Sequence, residues 1–108
     1  ALYALADVDG DGEVTAADAQ IIQEFYSSVL SNNYPNTDAG FAEFMRVQHP
    51  DIYAAHTGEW KMPDVDGSGA VTITDAVMVL TYYTEVVVSG RYEDNPETFY
   101  LWMNGYIH

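Results

Sequence analysis

Thirteen residues recur in this chain with carboxylates and glycines held at the same spacing. Residues 7–19 read Asp-Val-Asp-Gly-Asp-Gly-Glu-Val-Thr-Ala-Ala-Asp-Ala. Residues 64–76 read Asp-Val-Asp-Gly-Ser-Gly-Ala-Val-Thr-Ile-Thr-Asp-Ala, and nine of the 13 columns are identical. A hard cation such as Ca²⁺ takes roughly six to eight oxygens, and a twelve-residue loop offers them from positions 1, 3, 5, 7, 9 and 12. In the first string these are Asp7, Asp9, Asp11, the Glu13 carbonyl, Thr15 (its side chain or a bridging water) and Asp18. In the second they are Asp64, Asp66, Ser68, the Ala70 carbonyl, Thr72 and Asp75. Gly12 and Gly69 fall at position 6, where the sharp turn calls for a residue tolerant of positive φ. Like charges crowded at fixed spacing are costly without a cation. Two matching copies are also a far stronger signal than one. Two Ca²⁺ ions are therefore expected. Ser68 leaves the second site with three ligand carboxylates against four in the first, so the second should be the weaker.

The elements that must hold these loops follow from periodicity. Ala19, Ile22, Tyr26 and Leu30, with Phe25 and Val29, have the three-to-four spacing of a one-sided helix. Ala76, Val79, Tyr83 and Val87, with Tyr82 and Val86, repeat it. Ser31-Asn32-Asn33 and Ser89-Gly90 supply the stops. The unit is loop plus helix, used twice, with Val14 and Val71 pointing inward to pair across the loops. The repeats span residues 7–30 and 64–88. Between them lies an insert, residues 31–62, where Asn36-Thr37-Asp38 caps a helix striped by Phe41, Phe44 and Met45 and ended by His49-Pro50. A short helical turn is expected over residues 51–56, closed by Gly58. A C-terminal extension, residues 91–108, carries turn signals at Pro96 and Asn104-Gly105. Tyr3 and Leu5 are expected to meet Phe99, Tyr100, Leu101 and Trp102 in a clasp joining the termini. The expected fold is a single, mostly α module of three to four helices.

Composition narrows the function. Three basic residues against 17 acidic ones give a formal charge of −14, which argues against nucleic acid and against an anionic membrane surface. Cysteine is absent, which removes disulfides, thiolate metal sites and a Cys nucleophile. His49, His56 and His108 are scattered, so no zinc site is expected. Paired carboxylates could serve a glycosidase, but nearly half of the acidic residues are committed to the loops. No enzymatic activity is expected. Trp60, Trp102 and the tyrosines could stack on sugars, which keeps a carbohydrate-binding module as a lesser reading.

An EF-hand has a helix entering each loop as well as one leaving it. Here six residues precede Asp7, Pro63 stands directly before Asp64, and position 12 is Asp rather than Glu. Duplicated loop-then-helix units that close on Asp and carry Val at position 8 resemble the dockerin family of bacterial cellulosomes. The resemblance implies two calcium-organised helices related by a pseudo-twofold axis. It also implies a secreted or cell-surface role, holding an enzyme or scaffold protein of a polysaccharide-degrading complex onto a cohesin module. Carried over residue by residue, the cohesin-facing set is Ile73, Thr74, Val77, Thr81 and Glu85, with Met78 alongside. Its first-repeat counterparts are Ala16, Ala17, Gln20, Glu24 and Ser28. The two sets differ chemically, so one binding orientation is expected, through the second repeat. The alternative from another class is a calcium sensor or buffer.

Overall fold

Helices carry all the regular structure in the computed structural model, and no strand forms among the described residues, 2–108. In chain order these are α1 (Leu2–Ala6), α2 (Ala16–Leu30), α3 (Asp38–Gln48), α4 (Pro50–Ala55), α5 (Ile73–Tyr82) and α6 (Pro96–Met103). The last turns of α5 widen into a π-helical segment, Tyr83–Val88. Three to four helices were expected. The additional ones are the single turn α1 and α6. The latter starts from the Asn95 cap with Pro96 in its first turn, a start signal that can be read in the sequence.

The two long helices begin alike. Thr15 is extended, its hydroxyl accepts the Ala17 N–H at 3.2 Å, and the Asp18 carboxylate accepts the Thr15 N–H at 2.8 Å. Thr72 is extended too, with the Thr74 N–H at 3.2 Å on its hydroxyl and its own N–H on Asp75 at 2.8 Å. Each pair satisfies two orphan donors at the helix start reciprocally.

The duplication extends well beyond these loops and helices. Phe25 and Tyr82 are equivalent at an offset of 82 − 25 = 57, and both are fully buried. After the helices the offset is 58. Asn32 and Gly90 both adopt left-handed backbone, φ 60° and 67°. Thr37 and Asn95 cap α3 and α6, each accepting an N–H from the first turn. The one extra residue falls within the second helix, where the π segment lies and α2 has none. A π turn holds more residues than an α turn, so it absorbs a one-residue insertion and leaves the later segments in place. α3, in the segment read from sequence as an insert (residues 31–62), and α6, in the C-terminal extension (residues 91–108), thus occupy corresponding places after the two long helices. Their identities are few (Ser31/Ser89, Tyr34/Tyr92, Phe41/Phe99, Met45/Met103) and lie out of register with the loops by a single position.

α2 packs on α5, and the core between them includes Val14, Ile22, Phe25, Val71, Val79 and Tyr82, all fully buried. Each long helix has an aromatic buttress from its own repeat. Phe25 meets Phe41 at 5.0 Å and Phe44 at 5.5 Å; Tyr82 meets Phe99 at 4.8 Å and Trp102 at 5.5 Å. Each repeat also grips the other. Tyr3 sits edge-on to Phe99 at 6.0 Å, and Trp60, its equivalent in the second copy, sits edge-on to Phe41 at 5.8 Å. Reciprocal contacts of this kind are what a twofold relation generates. The clasp of the termini therefore exists through Tyr3 and Phe99. Tyr100 stays 55% exposed at its rim.

Candidate metal centres

Both acidic strings fold into tight loops whose bonds repeat almost distance for distance. Asp7 Oδ2 accepts the Gly12 N–H at 2.9 Å, and Asp64 Oδ2 accepts the Gly69 N–H at 2.8 Å. Asp18 Oδ1 accepts the Asp9 N–H and Asp75 Oδ1 the Asp66 N–H, both at 3.1 Å. Gly12 and Gly69 have φ of 89° and 99°, which only glycine adopts without strain. The backbone N–H groups point at carboxylates, and the remaining carboxylate oxygens converge. Oxygens of Asp7, Asp9 and Asp11 lie within 4.8 Å of one another, as do those of Asp64, Asp66 and Asp75. That spacing matches ligands on a common ion, since two oxygens across a Ca²⁺ are separated by about twice 2.4 Å.

The electrostatics of the loops point the same way. Asp18 and Asp75 are fully buried, although no basic side chain bonds to them. Burial, opposed in part by the Gly12 N–H and aided by Asp9 and Asp11, pushes Asp7 up to about 7. Asp18 is pushed up to about 8, chiefly by burial and then by the charges of Asp9 and Asp7. Asp75 is raised for the same reasons, with Asp66 as its neighbour. Asp7 Oδ1 is buried with no hydrogen-bond partner among the described residues. Such an orphan costs about 1–3 kcal/mol unless something pairs with it. An all-oxygen donor set with an orphaned carboxylate oxygen fits a hard divalent cation.

The expected ligands are not all used alike. Asp7, Asp9 and Asp11 come together in loop one; Asp18, which accepts the Asp9 and Thr15 N–H groups, is not among them. In loop two Asp75 joins Asp64 and Asp66 directly. Ser68 Oγ lies 3.4 Å from Asp64 Oδ1 and donates to the Ala70 carbonyl at 3.0 Å, which brings three expected donors together. The hydroxyls of Thr15 and Thr72 serve as helix caps, accepting the Ala17 and Thr74 N–H groups at 3.2 Å each. Glu13 is exposed, and its side chain lies outside the carboxylate group. The supposed lack of an entering helix is also corrected: α1 leads into Asp7 through the bond from the Asp7 N–H to the Tyr3 carbonyl at 2.8 Å. Residues 59–63 before loop two form no helix.

Val14 and Val71 are buried as expected, but their backbones do not pair with each other. The Val14 N–H donates to Asp94 Oδ2 at 2.8 Å. Val71 donates its N–H to Asn36 Oδ1 at 2.9 Å and accepts Asn36 Nδ2 on its carbonyl at 2.7 Å. Asp94 Oδ1 also accepts the hydroxyls of Tyr3 at 3.0 Å and Tyr82 at 2.9 Å. Both phenols are raised well above their ordinary range by burial and by Asp94, so they stay protonated and keep donating. Sequence reasoning passed over Asn36 as part of a cap signal and left Asp94 unremarked. The matching offset between them was the available signal.

On the outward face of α5, Ile73 (44%), Val77 (53%) and Leu80 (46%) stay exposed, with Thr74 exposed and Met78 and Thr81 half-buried. The Thr81 hydroxyl turns back to the Val77 carbonyl. Glu85 accepts the Trp102 indole N–H at 2.8 Å, so α6 occupies that end of the face. On α2, Glu24 pairs with His49 at 2.9 Å and is only half exposed. No helix among the described residues is long and apolar enough to cross a membrane. Compared with protein-family models, curated proteins and solved structures, the chain matches none.

Proposed function

We propose that this chain is a calcium-organised docking module of the dockerin type, which holds a secreted polysaccharide-degrading assembly together by binding a cohesin. Two Ca²⁺ ions, one per loop, neutralise the buried carboxylates and fix the relative pose of α2 and α5. The observation that carries the reading is the buried, unpartnered Asp7 Oδ1 among three convergent carboxylates, in a loop whose geometry recurs in the second copy. Two such cages without cations would concentrate negative charge in a chain already at −14. Metal binding and folding are therefore coupled in this reading.

The docking surface is the open face of the second repeat: Ile73, Thr74, Val77, Met78, Thr81 and Leu80, bounded by Glu85. Ile73, Val77 and Leu80 follow helical spacing and form an apolar stripe on a highly acidic surface. The equivalent face of α2 carries Gln20, Glu24 and Ser28, with Glu24 tied to His49. One orientation of binding follows. A panel of cohesins tested for capture by the intact chain, with calcium and with excess chelator, decides the matter. Calcium-dependent capture by at least one cohesin is expected, and capture that persists in chelator would refute the calcium-organised mechanism.

One observation favours a second reading, a calcium sensor or buffer: α1 gives loop one an entering helical turn. That turn is a single short one, and loop two has none. Half-saturation at submicromolar calcium with a large shape change would favour the sensor. The sugar-binding reading gains nothing from Trp60, whose ring stacks on His56 at 3.7 Å and on Tyr53 at 5.5 Å within the chain.

A further inference from the structure

Position 7 of each loop offers its ligand through a backbone carbonyl, and a carbonyl aims only as well as its peptide plane is held. The Glu13 carbonyl shares its peptide plane with the Val14 N–H, and the Ala70 carbonyl shares one with the Val71 N–H. In a trans peptide the two groups point in opposite directions. An acceptor fixed on the N–H therefore aims the carbonyl away from itself. Asp94 Oδ2 holds the Val14 N–H at 2.8 Å, and Asn36 Oδ1 holds the Val71 N–H at 2.9 Å. Both valines are fully buried, so no water competes for these N–H groups.

These two acceptors are equivalents in the duplication, at the offset 94 − 36 = 58 that relates α6 to α3, and each acts across the repeats. Asn36 follows the first helix and grips the second loop. Asp94 follows the second helix and grips the first. We infer that Asp94 and Asn36 are crossed positioning residues for the two calcium sites, each fixing the carbonyl ligand of the opposite repeat. The inference rests on the calcium reading above and goes beyond it by assigning each loop's affinity to a residue outside that loop.

The two grips differ in strength and connection. Asp94 is a carboxylate, so its bond to the Val14 N–H is charge-assisted and draws electron density toward the Glu13 oxygen. Two phenols orient it: Tyr82 from α5, and Tyr3 from α1, whose oxygen also lies 3.2 Å from the Gly12 carbonyl. Asn36 is neutral but bidentate, taking both the N–H and the carbonyl of Val71. Loop one is thereby coupled to the docking of α1 and α6, and loop two to the first turn of α3. By linkage, calcium in loop one tightens the clasp of the termini as much as the clasp tightens calcium.

The test titrates calcium by calorimetry in the full chain, with sites separated by background substitutions. Asp64→Ala isolates loop one and Asp7→Ala isolates loop two. Asp94→Ala should weaken loop one by about tenfold, the size of effect that outer partners of metal ligands show, and leave loop two within about twofold. Asn36→Ala should do the reverse. Asp94→Asn, which keeps an acceptor for the Val14 N–H, should recover most of the loss. It also serves if Asp94→Ala fails to fold in saturating calcium. Hydrogen exchange adds a second readout, with the Val14 amide losing protection in Asp94→Ala and the Val71 amide in Asn36→Ala. If both sites weaken together, or neither changes, the crossed assignment is overturned. If the unsubstituted chain binds no calcium, the underlying reading fails instead, and the two failures are distinguishable.

Discussion

The two repeats have kept the same cage and surrounded it differently. Capping pairs, glycine turns and aspartate-to-N–H bonds agree closely in length between them. Around that frame, loop one has an entering turn, a fourth aspartate and a charged grip from Asp94, while loop two has Ser68, a lead-in without helix and a neutral grip from Asn36. The helices diverge as well. α2 has its Glu24 engaged by His49 at the end of α3, and α5 leaves an apolar stripe open. What is constrained by local geometry stayed, and what faces a neighbour changed. A difference in partner contact or in ion affinity should thus trace to the surroundings and not to the cage.

The likeness of the halves is most exposed to challenge at the aromatic buttresses. Phe41→Ala and Phe99→Ala each remove a buried ring from equivalent places, and each should cost about 3–5 kcal/mol in chemical denaturation. A large loss from Phe41→Ala with none from Phe99→Ala would make α6 an appendage and not a half of the fold. Next come the buried caps. Asp18→Ala and Asp75→Ala each strip the acceptor from two backbone N–H groups, a loss of about 2 kcal/mol beyond any effect on metal. Denaturation of calcium-stripped protein should show similar losses, because the bonds are the same length in both repeats.

Protonation separates the stripped state from the loaded one. Asp7 and Asp18 hold protons more tightly in the folded chain, at about 7 and about 8, than at the ordinary carboxyl value of 3.8. A raised carboxyl contributes stability that is complete below the unfolded value and lost as pH climbs through the folded one. The melting temperature of calcium-stripped protein should therefore fall between pH 4 and pH 8. Excess calcium should reverse the trend, since the ion replaces the protons. Asp18→Asn should flatten the fall. The smallest expected change is at the proposed docking face: Val77→Ala should weaken cohesin capture about tenfold with melting unchanged, whereas Gln20→Ala should leave capture within about twofold. Equal losses from both would contradict the single orientation.

The loops and their helices were legible because their chemistry is local. Position-specific Asp and Gly residues, Thr caps and apolar spacing each act over a short stretch of chain, and the constant offset between copies is visible by eye. The rest of the duplication was hidden by one inserted residue in the π segment and by the tolerance of aromatic packing. Phe44 and Trp102 do the same work with different rings. α1 escaped notice because so short a helix has almost no periodicity of its own; its stability comes from Tyr3 and the fully buried Ala6. Asp94 was the least legible. Its role depends on three donors, from Tyr3, Val14 and Tyr82, that only the folded chain assembles.

Calorimetric titration of Ca²⁺ into the stripped chain is the decisive experiment for calcium-organised folding. Two ions should bind, the tighter lost in Asp7→Ala and the weaker in Asp64→Ala, with the melting temperature rising as the sites fill. A chain that takes up no calcium at millimolar concentrations, and melts identically with and without it, would refute the metal-filled cages and the docking role built on them.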